Sequence, residues 1–176
     1  MRYFLNFFVP VLVLSACVAA LAQMPTYNLG RTPSEGEIKA WDIAIHPEGK
    51  ELPAGRGTAT EGAKIYGQRC AYCHGLTGAE GGPADLWPYG HPRGYGIPSL
   101  TAGKGTKPNG IWRSPFATTL WDYINRAKPI GQEDTLSADQ VYALSALLFY
   151  WNGLIEESDV IDAKSLPKVQ MPIRRK

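Results

Sequence analysis

Cys70, Cys73 and His74 form the group of residues in this sequence whose spacing most clearly indicates chemistry. Two thiols three positions apart at the end of a helix face the same side, so each can add across one vinyl group of a haem. The next residue, His74, then lies under the iron, where an imidazole is a strong ligand. The spacing therefore predicts one covalently attached haem c, held by Cys70 and Cys73, with His74 as the proximal iron ligand.

Three other interpretations of the cysteine pair explain less. A thioredoxin-like redox site needs βαβ units, and the sequence pattern shows none. A zinc site with two cysteines and two histidines could be completed by His46 or His91, but neither has the paired spacing of zinc ligands. A plain disulfide gives no reason for a histidine directly after the second cysteine. Haem attachment is the interpretation that uses all three residues.

Helix signals surround this motif. A helix is predicted to begin at Thr60, with Thr60 as its cap and Glu61 in its first turn, and to lead directly into the cysteines. Upstream, a short helix is predicted from Ser34 to Trp41, because Ser34 can cap it and Glu37 can close a capping box.

Two further helices are predicted downstream of the motif. The first of them begins at Ser114–Pro115 and ends before Pro129. The other has the capping box Ser137–Gln140 and stops at Asn152–Gly153. A Gly- and Pro-rich segment of about 40 residues lies between the motif and Ser114, which makes sense if a non-protein group fills the centre of the domain.

These elements predict an all-α fold with three main helices around one haem. The expected organisation is a signal peptide at 1–22, an extended N-terminal arm at 23–59, the haem domain at 60–155 and a polar, extended C-terminal tail at 156–176.

The leader combines Arg2, an apolar run over residues 4–13 and a small-residue cleavage site ending at Ala22. It therefore predicts export, which places the mature domain in the periplasm. Membrane attachment is expected only if Cys17 is lipidated or the leader is retained as an anchor.

Charge excludes one class of function. The formal net charge of +2 includes Arg2 in the leader and a positive cluster in the tail, so the remaining body is slightly acidic. The cluster consists of Arg174, Arg175 and Lys176. A slightly acidic body argues against nucleic-acid binding. No acid–base pair, activated nucleophile or second metal-ligand set is visible, so the chain is predicted to be an electron-transfer protein and not itself an enzyme.

Around the Cys70–His74 motif the sequence resembles the class I cytochrome c family. Gly62 and Tyr66 match the small and aromatic positions of the family's first helix, and Leu144 and Leu147 stand where its last helix crosses. Pro98 looks like the family's loop proline, whose carbonyl would accept the proton of the His74 ring and fix its tautomer. The resemblance implies a class I cytochrome c fold.

A narrower resemblance extends over nearly the whole mature chain. Segments such as 29–31, 41–43, 118–124, 152–153 and 166–172 look like the cytochrome subunits of sulfane dehydrogenases of the SoxCD type, and similar cytochromes accompany sulfite dehydrogenases. Such a subunit accepts electrons from a molybdopterin dehydrogenase subunit and passes them on. The resemblance implies that redox proteins of this kind are the partners of this chain.

One departure from the family concerns the distal iron ligand. Relatives end the second helix in an Arg-Ala-Met-Pro-like stretch, whereas this sequence has Lys128 before Pro129. Three outcomes follow: Lys128 binds iron as a neutral amine, Met171 reaches in from the tail, or the sixth position is open or weakly held. An open position would suit a haem-based small-molecule binder or sensor, which is the alternative function. Arg93 and Arg113 are candidate partners for the haem propionates.

Overall fold

A computed structural model describes residues 29–81, 97–101 and 110–174. The chain divides into two units, Met1–Asp42 and Ile43–Lys176. The predicted leader, including Cys17, lies outside the described residues. Within the described ranges, no helix combines the length and the hydropathy needed to cross a membrane.

The described part of the first unit contains helix α1, Glu35–Trp41. Ser34 accepts a hydrogen bond from the Glu37 backbone, and the Glu37 side chain in turn accepts from the Ser34 backbone at 2.9 Å. The short helix predicted from this capping box is confirmed.

The second unit is mostly helical. Its α-helices are α2 (Ala59–Arg69), α3 (Ala71–His74), α4 (Ala117–Ala127) and α5 (Ala138–Trp151). Two-residue strands β1 (Arg56–Gly57) and β2 (Ile161–Asp162) pair in antiparallel fashion, with Arg56 opposite Asp162 and Gly57 opposite Ile161. Short 3₁₀ turns are formed by Gly110–Arg113, Leu166–Lys168 and Pro172–Arg174.

Helix α5 is the centre of this unit. Its capping box of Ser137 and Gln140 is present as predicted, and it ends at Asn152 with Gly153 in a left-handed conformation (φ 66°). Every residue from Val141 to Phe149 is buried. The helix is therefore covered on all sides, beyond the single apolar stripe that its periodicity indicated.

Helix α2 crosses α5 through small and aromatic residues. Gly62 lies so close to α5 that an added Cβ would be 2.9 Å from Leu147 Cβ. One turn later Tyr66 packs edge-on against Trp151, with ring centroids 4.8 Å apart. The contact between these family positions of the first and last helices is confirmed.

The cap of α2 differs from the prediction. Thr58, not Thr60, accepts the Glu61 backbone N–H, and the Glu61 carboxylate accepts from the Thr58 backbone at 2.9 Å. The physical reason is spacing: the two partners of a capping box stand three positions apart, as Thr58 and Glu61 do, whereas Thr60 directly precedes Glu61.

Replacing Thr58 by Ala is expected to lower the free energy of unfolding by about 1 kcal/mol, because it removes the side-chain acceptor of the first turn. Thr60→Ala is the matched control, since Thr60 is exposed inside the helix and alanine is the better helix former. Urea unfolding of the two haem-loaded variants measures the difference. Equal destabilisation by both substitutions would contradict the assignment of the cap.

The predicted start of α4 is also wrong. Ser114 N–H donates to the Ile111 carbonyl at 3.0 Å, so Ser114 closes the preceding 3₁₀ turn instead of opening a helix. The helix begins at Ala117, after Phe116, which makes no side-chain cap. Its end before Pro129 is as predicted, with Lys128 as the C-cap residue.

The C-terminal tail is not simply extended, as the sequence suggested. Ile161 pairs through β2 with the segment that precedes α2, and Leu166 and Met171 are buried in the main hydrophobic core. These three residues stand five positions apart, a spacing that matches neither helix nor strand periodicity, so the sequence pattern does not reveal that the tail packs down.

Candidate haem site

The junction of α2 and α3 positions the three motif residues. Cys70 ends α2 and precedes the single turn of α3, and its carbonyl accepts hydrogen bonds from Cys73 N at 3.2 Å and His74 N at 3.0 Å. Residues at i, i+3 and i+4 of such a turn share one face. Both thiols and the imidazole accordingly line one cavity.

This cavity has a volume of about 400 Å³, within the range of sites that hold small molecules and cofactors. Its walls come from the α2–α3 junction, the segment around Pro98, α4 and α5. They are mainly apolar, with Leu100, Ile111, Leu120, Ile124, Leu144 and Leu148 among the lining residues. Such walls favour an apolar group.

His74 is placed to act as a neutral ligand. Burial lowers the pKa of its imidazole, the Pro98 backbone opposes this by raising the pKa, and the nearby charge of Lys128 lowers it further. Its Nδ1 is buried and meets no acceptor at hydrogen-bonding distance and angle among the described residues. The Pro98 carbonyl is therefore close to the ring without a well-formed hydrogen bond, and its role in fixing the tautomer stays a prediction. Neutral imidazole is the form that binds iron.

The thiol chemistry argues against a redox or zinc site. Burial is the main cause that raises the pKa of Cys70 to about 11, whereas reactive redox cysteines are stabilised as thiolates. In the described ranges no three His, Cys, Asp or Glu side chains gather as a metal-ion site. Two cysteines and an imidazole on one mainly apolar cavity wall fit a haem held by thioether bonds.

The structure separates the two candidate distal ligands. Lys128 lines the same cavity as His74. Met171 is 2% exposed and lines a different cavity of about 290 Å³, between Phe116 and the tail. Of the propionate candidates, Arg113 lines the haem cavity, and Arg93 lies outside the described residues.

Two polar groups, the Tyr66 hydroxyl and the Asn152 side-chain amide, support the cavity through hydrogen bonds that the sequence does not predict. The Tyr66 hydroxyl donates to the Gly75 carbonyl at 2.8 Å and so ties the end of the motif to α2. Asn152 accepts from Trp112 Nε1 at 2.8 Å and donates to the Leu100 carbonyl at 3.1 Å, which joins two cavity segments to the end of α5. The partners of Asn152 are 40 and 52 residues away, and no local signal reports them.

Comparison with known proteins identifies the class. Residues 57–148, more than half of the chain, match the family described as cytochrome c oxidase, cbb3-type, subunit III. The chain belongs to this family of class I c-type cytochromes, so it is an electron-transfer protein with covalently bound haem c. The predicted fold and class are confirmed.

Within this class the chain resembles the SoxD-type cytochrome. The crystal structure of the sulfane dehydrogenase SoxCD from Paracoccus pantotrophus matches with 35% sequence identity and a TM-score of 0.60. The match covers 84% of this chain and 69% of that chain. A search of curated protein sequences gave no significant match.

Proposed function

We propose that this chain is a periplasmic monohaem cytochrome that accepts single electrons from a molybdenum dehydrogenase of sulfur compounds and passes them to a further redox protein. The observation that carries the proposal is the apolar cavity with Cys70, Cys73 and His74 on one wall, in a chain that is 35% identical to SoxCD over most of its length. The donor, the number of haems and the compartment are all parts of this proposal.

The number of electrons involved indicates which protein oxidises the substrate and which only receives electrons. The sequence has one Cys-x-x-Cys-His motif, which supports a single haem. Bound haem supplies one-electron chemistry at its iron. Oxidation of a sulfur compound removes electrons in pairs, so the substrate must react on a partner, and this chain receives the electrons one at a time.

The described residues support that role by holding and insulating the group. Cys70 and Cys73 would attach the haem covalently, and His74, at the end of the following turn, would ligate its iron. Apolar side chains of α4 and α5, such as Ile124 and Leu148, line the cavity and would surround the haem with apolar groups. A dry, low-dielectric surround tunes the potential of a haem protein.

The proposed compartment rests on the leader. Residues 1–22 have the charge, apolar run and cleavage site of an export signal. Lipidation of Cys17 would fix the mature domain to a membrane surface without changing the side on which it acts. Intact mass of the protein recovered from cells distinguishes cleavage after Ala22 from acylation.

The purified, haem-loaded chain is expected to show no oxidation of sulfite or thiosulfate by itself. Adding the proposed partner, a molybdenum dehydrogenase of sulfur compounds, together with that enzyme's substrate, is expected to reduce the haem by one electron per chain. Stopped-flow absorbance follows the reduction, and the dehydrogenase without substrate is the control. Turnover by the cytochrome alone, or a mass corresponding to two haems, would contradict the proposal.

A further inference from the structure

The haem cavity offers few groups able to bind iron from the side that His74 does not occupy. Apart from the motif residues and the Pro98 backbone, the polar lining residues are Tyr66, Arg69, Arg113, Ser114, Tyr123 and Lys128. Neither a methionine nor a second histidine lines this cavity among the described residues.

Most of these groups are unsuited or engaged elsewhere. Arginine keeps its proton and has no lone pair to donate, which removes Arg69 and Arg113. The Tyr66 hydroxyl already donates to the Gly75 carbonyl at 2.8 Å. Tyr123 has half of its side chain in solvent, with 52% exposed. Met171 is buried in the separate cavity beside Phe116.

Lys128 differs from them in position and chemistry. Leu120 and Ile124 lie on one face of α4, Lys128 is the residue that caps its C-terminal end, and all three line the cavity. Lys128 therefore shares one cavity with Cys70 and His74, the residues of the α2–α3 wall. Its Nζ is 4.9 Å from the centre of the Tyr123 ring, which places it at the α4 wall.

We infer that Lys128 Nζ is the second axial ligand of the haem iron, so that the protein has His/Lys ligation. The inference rests on the proposed haem binding. On coordination the ammonium gives one proton to solvent, and the freed nitrogen lone pair forms the bond to iron; no electron is transferred. A lysine amine is a flexible, strong donor once it is neutral.

The test compares wild type with Lys128→Ala and Lys128→Met, all recovered with covalent haem. Magnetic circular dichroism of the ferric proteins reports both spin state and ligand type. We expect a low-spin nitrogen-ligated spectrum for wild type, loss of the low-spin signal in Lys128→Ala, and a thioether-ligated spectrum in Lys128→Met. Carbon monoxide should bind the reduced Lys128→Ala protein readily and the wild type poorly.

Met171→Leu is the matched control, and its spectrum should equal that of wild type. An unchanged spectrum in Lys128→Ala, a high-spin wild type, or a high-spin Met171→Leu protein would each overturn the inference. If Lys128→Ala fails to fold, the wild-type and Lys128→Met spectra still decide between amine and thioether. A colourless wild-type protein at bare peptide mass would instead refute haem binding itself.

Discussion

A variant with Cys70→Ala and Cys73→Ala together is expected to be colourless and to have the mass of the bare polypeptide. Both thioether bonds are lost, and His74 alone holds haem only by a reversible bond. Intact mass and visible absorbance after expression in a host that matures c-type cytochromes measure the effect. Each single cysteine variant keeps one covalent bond and should retain part of the haem.

The same double variant is expected to lose its tertiary structure. At about 24 cal/mol per Å³, an unfilled apolar cavity of about 400 Å³ costs up to about 10 kcal/mol. Domains of this size are stable by only about 5–15 kcal/mol, so the cost takes most or all of the stability. Thermal unfolding followed by circular dichroism should show the loss of a cooperative transition.

Tyr72→Ala is the control for that experiment. Tyr72 stands between the two cysteines but is 82% exposed and does not line the cavity. Its replacement should leave haem content and melting temperature close to those of wild type. Haem loss in Tyr72→Ala, or a stable, cooperatively folded double cysteine variant, would contradict the cavity argument.

The parts of this structure that could be predicted from sequence depend on local geometry. The spacing of Cys70, Cys73 and His74 is itself the site, because a single helical turn brings the three side chains to one face. The capping boxes at Ser34 and Ser137 likewise lie within four residues, and both helices begin there.

The predictions are wrong in two situations. In one, a local signal allows two positions for a helix start; in the other, contacts between residues far apart in the sequence determine the structure. Thr58 and Thr60 both precede Glu61, and only the three-residue spacing selects Thr58. Ser114 has the chemistry of a helix cap, but it ends the preceding 3₁₀ turn, and the helix begins only at Ala117. The tail packs down because a two-residue strand at Ile161 pairs with Gly57, 104 residues earlier in the chain, and so short a strand has no sequence pattern.

The distal side of the haem illustrates the same limit. The positions of Lys128 and Met171 in the sequence do not show which of them is the distal iron ligand. The resemblance to relatives shows only that the methionine usual at the end of the second helix is missing. The structure separates the two because α4 carries Lys128 along the cavity wall, whereas the tail folds Met171 into the space beside Phe116. Tertiary packing, not residue type, therefore determines which side chain lies in the haem cavity and can bind the iron.

Gly62→Ala is expected to destabilise the protein more than any other single-methyl change in α2. An added Cβ would lie 2.1 Å from the Ala143 carbonyl oxygen and 2.7 Å from the carbonyl carbon of that residue, so the backbone of α5 would have to move. Because the section of α5 around Ala143 is buried on all sides and the Ala143 backbone is also approached by Gly57, α5 has no free space to move into. Overpacking of this kind costs about 3 kcal/mol, or roughly 10 °C in melting temperature for a domain of this size.

Gly67→Ala provides the opposite expectation within the same helix. Gly67 is exposed, and an added Cβ there meets no atom within 4 Å, so the methyl should stabilise the protein by about 0.5–1 kcal/mol through helix propensity. The two variants differ from wild type by the same chemical group, yet their melting temperatures should shift in opposite directions. Calorimetry of the haem-loaded proteins measures both shifts. Stabilisation by both substitutions would mean that α2 and α5 are not in close backbone contact at Gly62. In that case a contact other than the one between α2 and α5 would have to support the wall that presents Cys70 and His74 to the haem.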